Sequence, residues 1–207
     1  MAITDRKWPL AQAEGIVKSL VSHLQGACQR IEVAGSIRRQ RSECGDIDLV
    51  AFPLYQADLF GNPGGPMLLD QLLCNMGVAW TGGEKIHRFQ WELADIDLYL
   101  CDKDNFALTW LIRTGSAEHN QYLCQLANQR GYSISYSQGL KNRATDEVLI
   151  IKTEEELFHL LGLSYVEPHL REAVPVQGYP SLRPVYLMKG AKRWQRKSLR
   201  PAVRSPA

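Results

Sequence analysis

The run Ala94-Asp95-Ile96-Asp97-Leu98-Tyr99-Leu100 alternates apolar and polar residues without a break. Side chains along a strand alternate faces, so Ala94, Ile96, Leu98 and Leu100 share one face and Asp95, Asp97 and Tyr99 the other. Asp46-Ile47-Asp48-Leu49-Val50-Ala51-Phe52 has the same character. Ile47, Leu49 and Ala51 can bury, while Asp46 and Asp48 point the other way, roughly 6.6 Å apart at Cα. If the two strands are neighbours, about 4.8 Å apart, three or four carboxylates converge. Two carboxylates at ~5 Å repel by about 3 kcal/mol at an effective dielectric of ~20, and a bound cation is the natural remedy. Mg²⁺ fits best, since no Cys or His stands nearby with ligand spacing. Periodicity leaves open whether Asp95 or Asp97 is the third ligand. Upstream of the first acidic strand lie Gly35-Ser36-Ile37-Arg38-Arg39, and Gly45 directly precedes Asp46. A Gly-Ser turn, a basic pair and paired carboxylates are the parts needed to hold a triphosphate and its metal ions.

Further downstream stand Thr114-Gly115-Ser116-Ala117-Glu118-His119-Asn120 and Leu161-Gly162-Leu163-Ser164-Tyr165-Val166-Glu167-Pro168-His169-Leu170-Arg171-Glu172. Taken in order with the Gly-Ser turn, the D-x-D pair and Asp97-Leu98, these runs resemble the catalytic core of a family X DNA polymerase, the group that includes DNA polymerase beta. The likeness covers about residues 7 to 172. It implies an α+β fold: a nucleotidyltransferase palm with a mixed β-sheet flanked by helices, and a smaller, mainly helical C-terminal subdomain. The expected division is 1–101 for the palm, 102–172 for the nucleotide-closing subdomain and 173–207 for a basic, flexible tail.

The resemblance makes Asp97, not Asp95, the third metal ligand. It implies two Mg²⁺ ions, with Mn²⁺ able to substitute. Asp46 and Asp48 would hold the triphosphate-bound ion, and those two with Asp97 the ion at the primer 3′-oxygen. Ser36, Arg39 and Gly45 fall on the family's triphosphate-binding positions, and Gly35, Gly115 and Ser116 lie in the same nucleotide-binding runs. Asn120 falls on the position that contacts the base edge. The implied activity is addition of deoxynucleotides to a DNA 3′-hydroxyl, as in short-gap repair synthesis. The implied partners are primer/template or gapped DNA and deoxynucleoside triphosphates, with a monomeric enzyme. Two departures bear on this. Ile112-Arg113 stands where the family usually has an aromatic pair beside the sugar, so weak ribonucleotide exclusion is expected. Cys124 stands where an arginine commonly steadies the template. Both favour a runner-up, a template-independent terminal nucleotidyltransferase acting on DNA or RNA. A non-catalytic DNA-end-binding module is the alternative from another class. No counterpart of the family's amino-terminal lyase region or carboxy-terminal phosphoesterase domain is recognisable, so neither activity is expected.

The charge is unevenly spread. The chain of 207 residues has a net charge of +2, yet from Arg183 onward it carries eight basic residues and no acid. Removing those eight from the 24 Lys and Arg leaves 16 against 22 acids, so the body is net −6 and the tail +8. Lys189, Lys192, Arg193, Arg196 and Lys197 in the tail are candidate DNA contacts, as are Lys85, His87 and Arg88 ahead of the Asp97 strand. No apolar run reaches membrane-spanning length and no signal-type core opens the chain. A cytoplasmic or nuclear protein is expected, neither secreted nor membrane-bound. Five scattered cysteines, with no C-x-x-C, make a disulfide framework or zinc site improbable.

The spacing predicts helices over 9–24, 67–76, 105–113 and 118–130. A short helix to Leu161 is opened by a capping box of Thr153 and Glu156. It predicts strands over 30–34, 46–52, 78–80, 88–93 and 95–100, a loop over 56–66, and a two-stranded element from 133–136 and 148–151. His119 is expected on a helix surface.

Overall fold

A Pro-Leu start and apolar residues at helical spacing make the first helix, whose Ala13, Ile16, Val17, Leu20 and Leu24 are buried. In the computed structural model, which describes residues 6–57, 63–135, 139–175 and 177–181, the elements follow in chain order. They are β1 (Trp8–Pro9), α1 (Leu10–Leu24), β2 (Cys28–Val33), a single turn α2 (Gly35–Arg38), β3 (Glu43–Cys44), β4 (Ile47–Pro53), β5 (Tyr55–Ala57) and β6 (Pro63–Met67). Then come α3 (Leu68–Asn75), β7 (Thr81–Gly83), β8 (Ile86–Trp91), β9 (Ala94–Leu100), α4 (Phe106–Thr114), α5 (Ala117–Gln129), β10 (Tyr132–Ser135), β11 (Gly139–Asn142), β12 (Val148–Leu149) and α6 (Glu154–Leu160).

The main sheet has the order β2-β4-β9-β8-β7. Only β4 and β9 run parallel; the other pairs are antiparallel. The sheet is therefore mixed, and helices flank it. Ile47, Leu49, Ala51, Ile96 and Leu98 pack with α1 and α3 into one core. Val50 and Tyr99, on the opposite face, pack against Phe106 and Trp110 of α4. The other side of α4 contributes Leu108 and Leu111 to a second core, shared with Leu123 of α5, Leu157 and Phe158 of α6, and Leu140 of β11. A helix apolar on two sides is one buried between two layers. The chain is thus a mixed α+β protein in which α4 separates two cores.

Several expected elements shift. The predicted strand 78–80 is irregular, and pairing begins at Thr81, where the backbone first lies beside Arg88. The predicted loop over 56–66 has paired ends, since Tyr55 lies opposite Met67 and Ala57 opposite Pro63. The predicted two-stranded element gains a central strand, β11, in which Lys141 and Asn142 break any apolar alternation. Tyr136 and the tail from residue 182 onward, with all eight of its basic residues, lie outside the described residues. The capping box forms in part: Thr153 Oγ1 accepts the Glu156 N–H at 3.3 Å, while Glu156 Oε2 accepts the N–H of Lys152, not Thr153, at 2.8 Å.

The charged centre of the second layer is Glu154, which is 4% exposed. Arg38 Nη1 and Nη2 donate to its two oxygens at 2.6 and 2.9 Å, and Arg171 Nη2 donates at 2.9 Å. Tyr165 Oη adds a bond at 3.0 Å. Burial raises the Glu154 carboxyl, but hydrogen bonds and charges from Arg38 and Arg171 outweigh it and hold it below its usual range. Arg171 is fully buried, and Arg38 Cζ sits over the Trp110 ring, 3.4 Å from its centroid. Removing one partner of such a pair strands a buried charge. Glu154→Gln should therefore cost about 3–5 kcal/mol at neutral pH. Because the carboxyl is depressed in the fold, its stabilisation is present above the ordinary glutamate pKa and lost as pH falls through the folded value. Urea unfolding should show the full difference between the two proteins at about pH 7 and a shrinking one below about pH 4.

Candidate active site

Parallel pairing sets Asp48 of β4 directly beside Asp97 of β9. Asp46, just before β4, joins them, and the three offer carboxylate oxygens within 4.8 Å of one another. Asp95, two residues up the strand, is bonded by Gln90 Nε2 at 3.0 Å and is outside that group. Burial, then the charges of Asp46 and Asp97, push the Asp48 carboxyl up from 3.8 to about 7. Asp97 is held from two sides: Arg88 Nε donates to Oδ1 at 3.1 Å and Tyr99 Oη to Oδ2 at 2.9 Å. Burial and the neighbouring Asp48 and Asp97 raise the Tyr99 phenol, which keeps it a donor. Hard oxygen donors at this spacing suit a divalent cation such as Mg²⁺.

The Gly-Ser turn closes over the same carboxylates. Gly35 has φ +57°, and a Cβ there would overlap the Asp48 carboxylate. Only glycine lets α2 come this close. The Ala34 N–H donates to the Asp48 carbonyl at 2.9 Å, tying the turn to β4. Ser36 Oγ is buried without a hydrogen-bond partner among the described residues. The space beside Gly45 is open. Arg39 donates through Nε to Glu172 Oε1 at 2.8 Å and through Nη1 to the Thr114 carbonyl. Its guanidinium lies against Gly115, at φ +74°. Ser116 caps α5 by accepting the His119 N–H at 3.3 Å. Asn120 Nδ2 bonds the Ile112 carbonyl at 2.7 Å, leaving Oδ1 buried without a partner among the described residues.

Not every sequence candidate gathers here. Arg88 reaches the carboxylates, but His87 does not share its face. The period of two sets His87 opposite Leu98 on the core side, where it is 5% exposed and bonds Asp70 Oδ1 at 2.7 Å. His87 and Lys85 instead line a cavity of about 610 Å³ with Phe52, Asp70 and Asp102, at the far ends of β4 and β9. Lys189, Lys192, Arg193, Arg196 and Lys197 lie outside the described residues. His119 is fully buried between Phe158 and Tyr179, not on a helix surface; burial, then Arg171, lowers it to about 4. Two groups were given no role by the sequence reading, Glu154 and Glu172, which bind Arg38 and Arg39. Arg113 stacks on Tyr99, 3.9 Å from its ring centroid, and its charge acts on Asp48. The signal of Glu154 and Glu172 lies in pairing across more than a hundred residues, which spacing does not carry.

Residues 109–172 match the family model described as DNA polymerase beta thumb. The chain is 28% identical to the DNA polymerase/3'-5' exonuclease PolX of Bacillus subtilis (strain 168) over 173 residues, 81% of this chain and 29% of that protein. It is 31% identical to DNA polymerase lambda of Rattus norvegicus over 166 residues, 67% of this chain and 28% of the other. A third relative, the DNA nucleotidylexotransferase of Monodelphis domestica, is 29% identical over 93 residues, 45% of this chain and 18% of its own. The chain thus spans under a third of the length of these relatives.

Three mutually repelling carboxylates should weaken the metal-free protein. A carboxyl raised in the fold binds its proton more tightly than in the unfolded chain, so stability falls as pH rises from about 4 to about 7. The rise from 3.8 to about 7, at ~1.36 kcal/mol per unit, sets the effect at up to about 4 kcal/mol. With chelator at about pH 8, Asp48→Asn should melt several degrees above the unsubstituted protein, and the gain should fade near pH 4. Added Mg²⁺ should stabilise the unsubstituted protein more than Asp48→Asn. Thermal melts across pH, with and without Mg²⁺, check both.

Proposed function

This chain is family X DNA polymerase-like, and we propose that it is a nucleotidyltransferase that adds deoxynucleotides to a DNA 3′-hydroxyl and releases pyrophosphate, as in the filling of short gaps. The observation that carries this reading is the meeting of Asp46, Asp48 and Asp97 beneath the Gly35-Ser36 turn. Residues 1–101 would form the palm, 102–172 the nucleotide-closing part and 173–207 a basic tail. Asp46 and Asp48 would hold one Mg²⁺ and, with Asp97, a second; Mn²⁺ has the same donor preference. When bound, such ions neutralise the triphosphate and make the 3′-hydroxyl more acidic. The chain's own groups do the rest. Ser36 Oγ, the Gly45 backbone and the remaining N–H groups of Arg39 grip the phosphates. Asp97, oriented by Tyr99 and Arg88, takes the proton of the 3′-hydroxyl. The bond from that oxygen to the α-phosphorus forms as the bond to pyrophosphate breaks, so the work is positioning and electrostatics. Gly115 and Ser116 set the turn beside Arg39, and Asn120 would meet the base edge.

A second reading, template-independent extension, is favoured by Arg113, a cation on Tyr99 near the carboxylates. Primer extension on gapped, recessed and single-stranded DNA, with both sugars, separates the two; extension of the single strand alone supports the second. In that assay Asp97→Ala should abolish incorporation, while Asp95→Ala should keep it within a fewfold. A dead Asp95→Ala beside a working Asp97→Ala would reverse the assignment.

The tail supplies the DNA grip that a body of net −6 lacks. If four of its eight basic residues engage duplex phosphates, removing residues 183–207 should make the log–log salt slope shallower by ~3.6. Chemistry should persist at high primer concentration. Titrations at several salt concentrations check this; equal slopes would move the grip to the body, with Lys85 and Arg88 the first candidates.

A further inference from the structure

Glu172 bridges two guanidiniums. Its Oε1 accepts from Arg39 Nε at 2.8 Å and its Oε2 from Arg41 Nη1 at 2.9 Å. Arg39 also donates to the Thr114 carbonyl. Two of its five N–H groups thus face Glu172 and Thr114, while its charge acts on Asp48 on the acidic side. The carboxylate is fixed from elsewhere. Glu172 directly follows Arg171, which is fully buried, grips Glu154, and donates from Nε to the Val166 carbonyl at 2.8 Å. Arg39 therefore takes its aim from a residue more than 130 positions away.

We propose that Glu172 is a positioning residue for triphosphate binding: anchored by Arg41, it holds the free end of the Arg39 fork toward the incoming phosphates. This rests on the nucleotidyltransferase reading above. The charge balance favours positioning over competition. One carboxylate between two guanidiniums leaves the trio at +1, still attractive to a polyanion. A long, rotamer-rich arginine fixed before the ligand arrives loses less freedom when it binds. Grip on the triphosphate then depends on the docking of the run ending at Glu172 against α2, so a nucleotide would sense whether the second layer is seated.

The test uses the full chain on a primer ended in a dideoxynucleotide, which binds nucleotide without bond formation. The complementary Mg²⁺–deoxynucleoside triphosphate is titrated. No saturable binding by the unsubstituted protein would sink the nucleotidyltransferase reading itself. With that binding in hand, Glu172→Gln should raise Kd about tenfold, short of the hundredfold that a 1 Å misplacement can cost. Arg41→Gln should raise it about threefold, and Glu172→Asp should recover part of the loss. On an extendable primer, kcat at saturating nucleotide should stay within about twofold and primer affinity should hold, a split that general loosening would not produce. An unchanged Kd in Glu172→Gln would overturn the proposal. A tighter Kd would overturn it too, by making Glu172 a competitor for Arg39.

Discussion

The structure turns on one buried carboxylate. Glu154 stands at the start of α6, yet its oxygens are taken by Arg38 from α2 and by Arg171 from the run after α6. An unpaired charge at that depth would be costly, so the three groups must meet together or not at all. Their meeting fixes the second core against the turn that carries Ser36 and Arg39. Thr114 shares the arrangement, donating to the Trp110 carbonyl and accepting from Arg38, both at 2.6 Å. The C-terminal end of α4 is thereby pinned to the same point. The network ties α2, the end of α4 and the run ending at Arg171 to one point.

The acidic group shows the opposite balance. Asp46, Asp48 and Asp97 repel one another, and burial of Asp48 makes the repulsion worse. The protein offsets part of this with Arg113, Arg39 and the donors on Asp97. These groups reduce the strain without removing it, and a divalent cation would remove most of the rest. A site strained without its ligand and relaxed with it is one arranged for binding rather than for folding.

Much of this was legible along the chain because strand period and local spacing are short-range properties. The alternation at Ala94–Leu100 assigned Ala94, Ile96 and Leu98 to one core face and Asp97 and Tyr99 to the other, where α4 buries Tyr99 as well. The same rule separated Arg88 from His87, although their closeness in sequence had suggested a shared cleft; the register of β8 on β9 put a single residue between two different environments. The central strand β11 was missed because half of it is polar and its pairing partners supply the order that its own sequence lacks.

The sequence by itself determined the carboxylate pairs and the Gly-Ser turn, since each rests on residues a few positions apart, and the order of these runs along the chain carried the family likeness. Strand period left Asp95 and Asp97 both open and the resemblance favoured Asp97; the tertiary structure brings the carboxylates together, through the parallel register of Asp48 on Asp97. It also decided that Arg38 and Arg39, adjacent in the chain, answer to different anions, Glu154 and Glu172. Neither choice is written in any local pattern. The first follows from the backbone register of β4 on β9, and the second from desolvation, which tolerates the buried Glu154 only where the fold brings cations to it from far along the chain.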